Sequence, residues 1–251
     1  MNGNSEAQPP GMPSVWNLFR EARWVPEWLA GALGRGLGDL PEGDGHGVLL
    51  LPGFLASDRS MAPLARVLRN LGYRTYRSGL NPNPGPTAAT VNWLRDRVRH
   101  VIARADAPIS LIGQSLGGIY AREIARRDPL NVRYVITMGS PFRHPDSTRA
   151  SSLAEQLQRW WGPFVDRSRA RMLHEPLQVP TTSIYSKSDG IVAWKACLET
   201  PGWGRENIEV NTSHIGMSVH PRVIGIVADR LALPVRGWQP YQARHTRPNR
   251  A

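Results

Sequence analysis

An α/β fold, with a mostly parallel, doubly wound sheet, is what this sequence predicts, and three observations predict it. Short unbroken apolar runs recur, Val48-Leu49-Leu50-Leu51 first among them. A strand apolar on both sides is one buried on both faces, as parallel sheets require. Amphipathic helical stretches alternate with these runs through short connections, which is the rhythm of βαβ units. The alternation breaks once, after Pro141, where residues 143–176 read as helices with no strand between them. A helical cap insertion of about 143–178, between two core strands, is the expectation for that break.

The chain has 251 residues, a length that suits one domain with a full core better than two half-sized ones. Residues 1–13 are polar with prolines and glycines and read as a disordered N-terminus. Over 14–40, apolar residues recur at helical spacing (Val15, Leu18, Phe19, Ala22), and Pro26 interrupts the pattern. Trp16, Trp24 and Trp28 give this stretch two readings. One is helices packed on their own domain, the commoner use of such a stripe; the other is peripheral contact with a membrane interface. The α/β domain is placed at 41–235 and a basic tail at 236–251.

Within the domain, 48–51 is the first strand and 61–71 an amphipathic helix ended by Gly72. Residues 73–80 form the next strand, the proline-rich NPNPGP a loop, and 87–105 a long amphipathic helix. A second buried strand, 109–112, is followed by a helix at 116–127 and a strand at 132–138. Beyond the cap come strands at 181–185 and 208–210 and a closing helix at 221–233.

Composition narrows the function classes. The apolar fraction of 41% and charged fraction of 20% are ordinary for a globular chain. No stretch of about twenty apolar residues occurs, so no spanning helix is expected. The segment MNGNSEAQPPGMPS lacks a basic run followed by an apolar one, so no secretory signal is expected either. Cys197 is the only cysteine and cannot form an internal disulfide, which suits a reducing cytoplasm. The net charge of +11 is carried by scattered arginines; Lys187 and Lys195 are the only lysines. No zinc spacing, recognition helix or aromatic-basic interleaving accompanies them, so the charge reads as a solvated surface with no nucleic-acid partner.

The chemistry-bearing motif is Gly113-Gln114-Ser115-Leu116-Gly117, a G-x-S-x-G pattern. Alone it is weak; here it follows a predicted buried strand and opens a predicted helix, the context a nucleophile elbow needs. Glycines are required because β-carbons two residues either side of the serine would collide with strand and helix. The turn also sets Ser115 at a helix N-terminus, which favours developing negative charge.

A serine hydroxyl needs a base, and in such folds the chain order is Ser, acid, His, from loops after later strands. Asp189 follows the strand at 181–185 and His214 follows the one at 208–210, both at C-terminal strand ends where such sites gather. Asp146 stands as a second choice of acid, and His220 and His174 as weaker bases. The oxyanion hole calls for two backbone N–H groups. Leu116 supplies one; Phe54, after Pro52-Gly53, supplies the other, with Leu55 as second choice.

The segments LLLPGFLAS, SLIGQSLGGIYAREIA, TTSIYSKSDGIVAW and ENIEVNTSHIGM together resemble the bacterial α/β-hydrolase superfamily, in its lipase- and esterase-like members. The likeness extends to the lipid-deacylating, PGAP1-like group and covers roughly 47–233. It implies an α/β-hydrolase fold with a trimmed sheet, a Ser115–His214–Asp189 triad and a Phe54/Leu116 oxyanion hole. Two departures stand out: Pro52-Gly53 replaces the His-Gly frequent in lipases, and Gln114 replaces the histidine frequent before the nucleophile.

The expected activity is hydrolysis of a small-molecule or lipid carboxylic ester through an acyl-enzyme, with no metal or organic cofactor. Leu55, Trp160, Trp161, Ile191 and Trp194 are candidates to line an apolar acyl pocket. An acyltransferase or thioesterase would carry the same triad, and a non-catalytic binding module on the same fold is the alternative from another class.

Overall fold

The computed structural model describes residues 39–143, 175–234 and 237–242. Six strands make one sheet: β1 (Gly47–Leu51), β2 (Arg74–Arg77), β3 (Ile109–Gln114), β4 (Val132–Met138), β5 (Thr181–Tyr185) and β6 (Arg205–Glu209). Every pairing is parallel, and the order across the sheet is β2-β1-β3-β4-β5-β6. The described α-helices are α1 (Ala62–Asn70), α2 (Ala88–Ala105), α3 (Leu116–Arg127) and α4 (Pro221–Leu231).

Alternation along the strands divides the core in two. Leu49 and Leu51 of β1 pack on one face with Leu94, Val98 and Val101 of α2 and Ile119 of α3. Val48 and Leu50 pack on the other with Leu64 and Leu68 of α1 and Ile224 and Val227 of α4. Full burial of each such aliphatic side chain contributes about 1.5–3 kcal/mol, so β1 and β3 anchor the domain. The chain runs from β1 outward to β2, then returns past β1 to β3 and onward. The reversal lies between β1 and β3, the point at which open α/β sheets form their ligand crevice.

Central elements match the sequence reading closely, and edge elements do not. The strand expected at 73–80 is only Arg74–Arg77, because Ser78 and Gly79 turn away to hydrogen-bond the buried Asp58 carboxylate. The last strand begins at Arg205 rather than 208. Its early residues are polar because it is an edge strand, with Glu206 bonded to Arg230 and Asn207 to Glu199. The first helix begins at Ala62 after a short 3-10 turn over Asp58–Met61, and Thr87 caps α2 instead of lying within it. The closing helix stops at Leu231 instead of running to 233.

The helices expected at 14–40, most of the expected cap and most of the basic tail fall outside the described residues, and Trp160, Trp161, Asp146 and His174 with them. Among the described residues no helix is long and apolar enough to cross a membrane.

The arginines are not all solvated. Arg122 of α3 and Glu199 form an ion pair with both side chains at 0% exposure. The Arg122 guanidinium lies 3.9 Å above the Phe142 ring and donates to the Glu175 carbonyl at 3.0 Å. Phe142 and Glu175 lie on either side of the undescribed 144–174 segment, so one side chain contacts both stems of the insertion. Glu199 is held in turn by Asn207, which accepts from the Glu199 N–H at 2.6 Å and donates to its carbonyl at 2.9 Å.

A second buried polar chain occupies the N-terminal edge of the sheet. Asp44 accepts from His46 Nδ1 at 2.5 Å, so Nε2 accepts from the Ser110 hydroxyl, 2.8 Å away. Burial pushes the imidazole below the ordinary histidine range, against the raising effect of Asp44. Burial would raise Asp44, but hydrogen bonds from His46 and Arg133 outweigh it and hold the carboxyl down to about 2.

Two expectations follow for stability. Glu199→Gln leaves the Arg122 cation buried without its partner and should cost about 3–5 kcal/mol in denaturant unfolding, most of it recovered in an Arg122→Met/Glu199→Leu double variant. At His46 the folded state binds fewer protons than the unfolded chain between its depressed pKa and the ordinary value near about 6.5. Stability is therefore complete above that value and falls as pH drops toward the folded pKa. His46→Gln should flatten this part of the Tm-versus-pH curve; an unchanged slope would show that His46 does not set it.

Candidate active site

Steric exclusion shapes the turn between β3 and α3. A β-carbon on Gly117 would stand 2.1 Å from the Leu51 carbonyl oxygen, and one on Gly113 would stand 2.2 Å from the Gly117 backbone. Only glycine lets α3 start this close to the ends of β1 and β3. Ser115, between them, takes φ +51° and ψ −121°, a conformation costing about 1–3 kcal/mol for a non-glycine residue and typical of functional turns. Its N–H donates to the Met138 carbonyl at 2.8 Å, which fixes the turn onto β4. Gly53, at the end of β1, faces it: a β-carbon there would lie 3.3 Å from the Ser115 Cβ.

The loops after β5 and β6 bring the predicted acid and base together. Asp189 and His214 are both buried, and His214 Nδ1 lies 2.6 Å from Asp189 Oδ2. A carboxylate only accepts, so Nδ1 carries a proton. Asp189 Oδ1 takes the N–H groups of Ile191 at 2.8 Å and Val192 at 2.7 Å, which orients the carboxylate. Serines join the two loops: Ser186 Oγ donates to the Thr212 carbonyl at 2.7 Å, and Ser188 Oγ to Asn211 at 2.7 Å.

Two contacts hold His214 against the ends of β3 and β4. Gln114, the residue before Ser115, donates its side-chain amide to the His214 carbonyl at 2.8 Å. Gly139, next to the Met138 carbonyl that holds Ser115, lies under the ring: a β-carbon on it would be 3.1 Å from His214 Nδ1. Gln114 was legible in the sequence only as a departure from a lipase pattern; here it ties the loop of His214 to β3. His220, the rival base, accepts the Arg222 N–H at 3.2 Å and caps α4.

At the turn after β1, the Leu55 N–H donates to the Asn83 carbonyl at 2.9 Å. The N–H of Leu55, the second choice for the oxyanion hole, is thus engaged by the loop after β2. Leu55 itself has φ +57° and a side chain 65% exposed, and Ile215, directly after His214, is 47% exposed. Ile191 sits on the acid's loop, and Trp194 stacks on Tyr185 with ring centroids 5.6 Å apart. Among the described residues no cluster of three or more histidine, cysteine, aspartate or glutamate side chains stands ready to hold a metal ion.

A six-stranded parallel sheet with this order, and a strained serine between its third strand and following helix, is the α/β-hydrolase fold. Solved structures agree. Lipase B of Aspergillus fumigatus superposes with TM-score 0.58 at 16% identity over 74% of this chain and 52% of its own. The pyrethroid hydrolase PytH gives 0.52 at 16% identity over 76% of this chain and 99% of its own. A structure of the metagenome-derived lipolytic enzymes LipS and LipT gives 0.52 at 17%, over 76% and 94% respectively. The chain spans about half the length of the Aspergillus lipase. At these identities the likeness shows the fold alone. No protein-family profile matches the chain, and no curated protein sequence does.

Glycine substitution separates the elbow from an ordinary helix. Gly117→Ala forces a β-carbon against backbone and should lower stability by the upper end of the about 1–3 kcal/mol typical of overpacking. Gly225→Ala in α4, where the nearest atom would be 3.9 Å away, should instead raise it by up to about 1 kcal/mol through helix propensity. Paired denaturant titrations check both.

Proposed function

We propose that this chain is a serine hydrolase acting on carboxylic esters with an apolar acyl chain. The observation that carries the reading is the 2.6 Å His214–Asp189 hydrogen bond, together with a strained, glycine-flanked Ser115 at the turn after β3. The superfamily likeness of the fold supports it, while the narrower lipid-deacylating likeness receives no support from the comparisons. The exposed aliphatic side chains of Leu55 and Ile215 directly follow Phe54 and His214 in the chain. They favour an apolar substrate over a sugar or phosphate.

In the proposed reaction, His214 Nε2 takes the Ser115 hydroxyl proton as Oγ attacks the ester carbonyl. The oxyanion of the tetrahedral intermediate accepts hydrogen bonds from the Phe54 and Leu116 N–H groups. Collapse breaks the carbon–oxygen bond to the alcohol, which leaves with the proton from His214. Water then attacks the acyl-enzyme, giving its proton to His214, and the acid departs as Ser115 regains that proton. Asp189 stays ionised throughout, holding the Nε2-basic tautomer and offsetting the positive charge on the ring.

Fluorophosphonate labelling tests the nucleophile: the wild-type chain should label stoichiometrically, and Ser115→Ala not at all. Turnover of p-nitrophenyl esters from acetate to palmitate reads the acyl preference, with rates expected to rise toward the longer chains. Asp189→Asn should lower kcat about ten-thousand-fold by favouring the wrong tautomer. A wild-type chain that neither labels nor turns over any ester would refute the reading.

A further inference from the structure

The loop after β2 carries a buried side chain for which the proposed mechanism has no use. Asn83 is 0% exposed. Its amide donates to the Pro52 carbonyl at 3.0 Å, its own N–H donates to the Ala56 carbonyl at 2.7 Å, and its carbonyl accepts from Leu55 at 2.9 Å. These bonds grip both ends of residues 52–56, the turn that contains Phe54. The Asn83 side-chain oxygen accepts from Gly85 N–H at 3.1 Å and from the Tyr120 hydroxyl at 3.4 Å. Tyr120 stands on α3 one turn beyond Leu116, so Asn83 touches both segments that supply the oxyanion donors.

The gripping loop is itself anchored. Asp58 accepts from the Ser78 N–H at 3.0 Å, the Ser78 hydroxyl at 2.7 Å and the Gly79 N–H at 2.9 Å. Asn81 Oδ1 in turn accepts from the Asp58 N–H at 3.2 Å. The gripped turn at 52–56 contains Gly53 and a leucine with positive φ; its Ala56 N–H donates to the Gly53 carbonyl at 3.2 Å, and Phe54 packs against the core.

We propose that Asn83 is a positioning residue for the oxyanion hole, setting the Phe54 N–H relative to that of Leu116 without touching substrate. The inference rests on the Ser115 reading given above. Its physical basis is the geometric tolerance of such holes. Losing one donor costs about a hundred- to a thousandfold in kcat, and a displacement of about 1 Å of a catalytic group costs about a hundredfold. An amide is the side chain that fits, because it presents a donor to the Pro52 carbonyl and an acceptor to Gly85 and Tyr120 at once. Aspartate would set a second acceptor against that carbonyl, and alanine would leave both carbonyl and hydroxyl unmatched.

The test compares the full-length wild type with Asn83→Asp and Asn83→Ala, using p-nitrophenyl ester kinetics, thermal melts and inhibition by an alkyl trifluoromethyl ketone. The ketone adds to the serine as a hemiketal whose oxyanion occupies the hole. Both variants are expected to lose about ten- to a hundredfold in kcat with KM within about threefold of wild type. Affinity for the ketone should weaken in proportion to kcat/KM. A lowered Tm with kcat and ketone affinity within about threefold of wild type would overturn the inference while leaving the Ser115 reading intact. A wild type that fails to label with fluorophosphonate would remove the reading itself, and the inference with it. Should neither Asn83 variant fold, Tyr120→Phe reads the same contact. About a three- to tenfold parallel loss in kcat and ketone affinity is expected there, and no loss overturns the proposal.

Discussion

A backbone crossing too tight for a β-carbon governs the Ser115 end of this sheet. Helix α3 begins almost on top of the last residues of β1, with Gly117 against the Leu51 carbonyl and Gly113 against Gly117. That closeness forces Ser115 into its strained conformation and sets it opposite Gly53. It also directs the start of α3 toward the crevice between β1 and β3. The loops carrying Asp189 and His214 are then built to meet a fixed point. Serine and glutamine side chains make the joins, between the two loops and between the base's loop and the elbow.

The parts of this fold legible in the sequence are those in which one physical cause dominates. Strands β1, β3 and β4 are buried on both faces, so their apolar runs mark them plainly. The pairing of Asp189 with His214 was legible because both residues follow the C-terminal ends of strands, where the loops of such a sheet meet. Edge strands β2 and β6 were misjudged by several residues, since Arg74, Arg77, Arg205 and Glu206 face solvent or polar partners and leave no apolar run.

Buried polar residues were the other blind spot, and the reason differs. Arg122 sits in a chain with many exposed arginines, and nothing local marks it as the one paired with Glu199. Asn83 lies in a proline-rich loop that reads as mere connection. Its partners, Pro52 and Tyr120, stand 31 and 37 residues away in sequence, and its bonds to Ala56 and Leu55 use backbone groups common to every residue. Such roles follow from the closure of the fold and have no periodicity to betray them. Gln114 is intermediate: its position beside the nucleophile made it visible, but its contact with the His214 carbonyl did not.

Arg122 has one further consequence. It holds the residues on both sides of the insertion, Phe142 and Glu175, while rooted in the helix that starts at the nucleophile. The two ends of the excursion are thus pinned to one cation inside the core. A change at either stem therefore reaches α3, and with it the start of the helix that follows the Ser115 turn, through a single buried guanidinium.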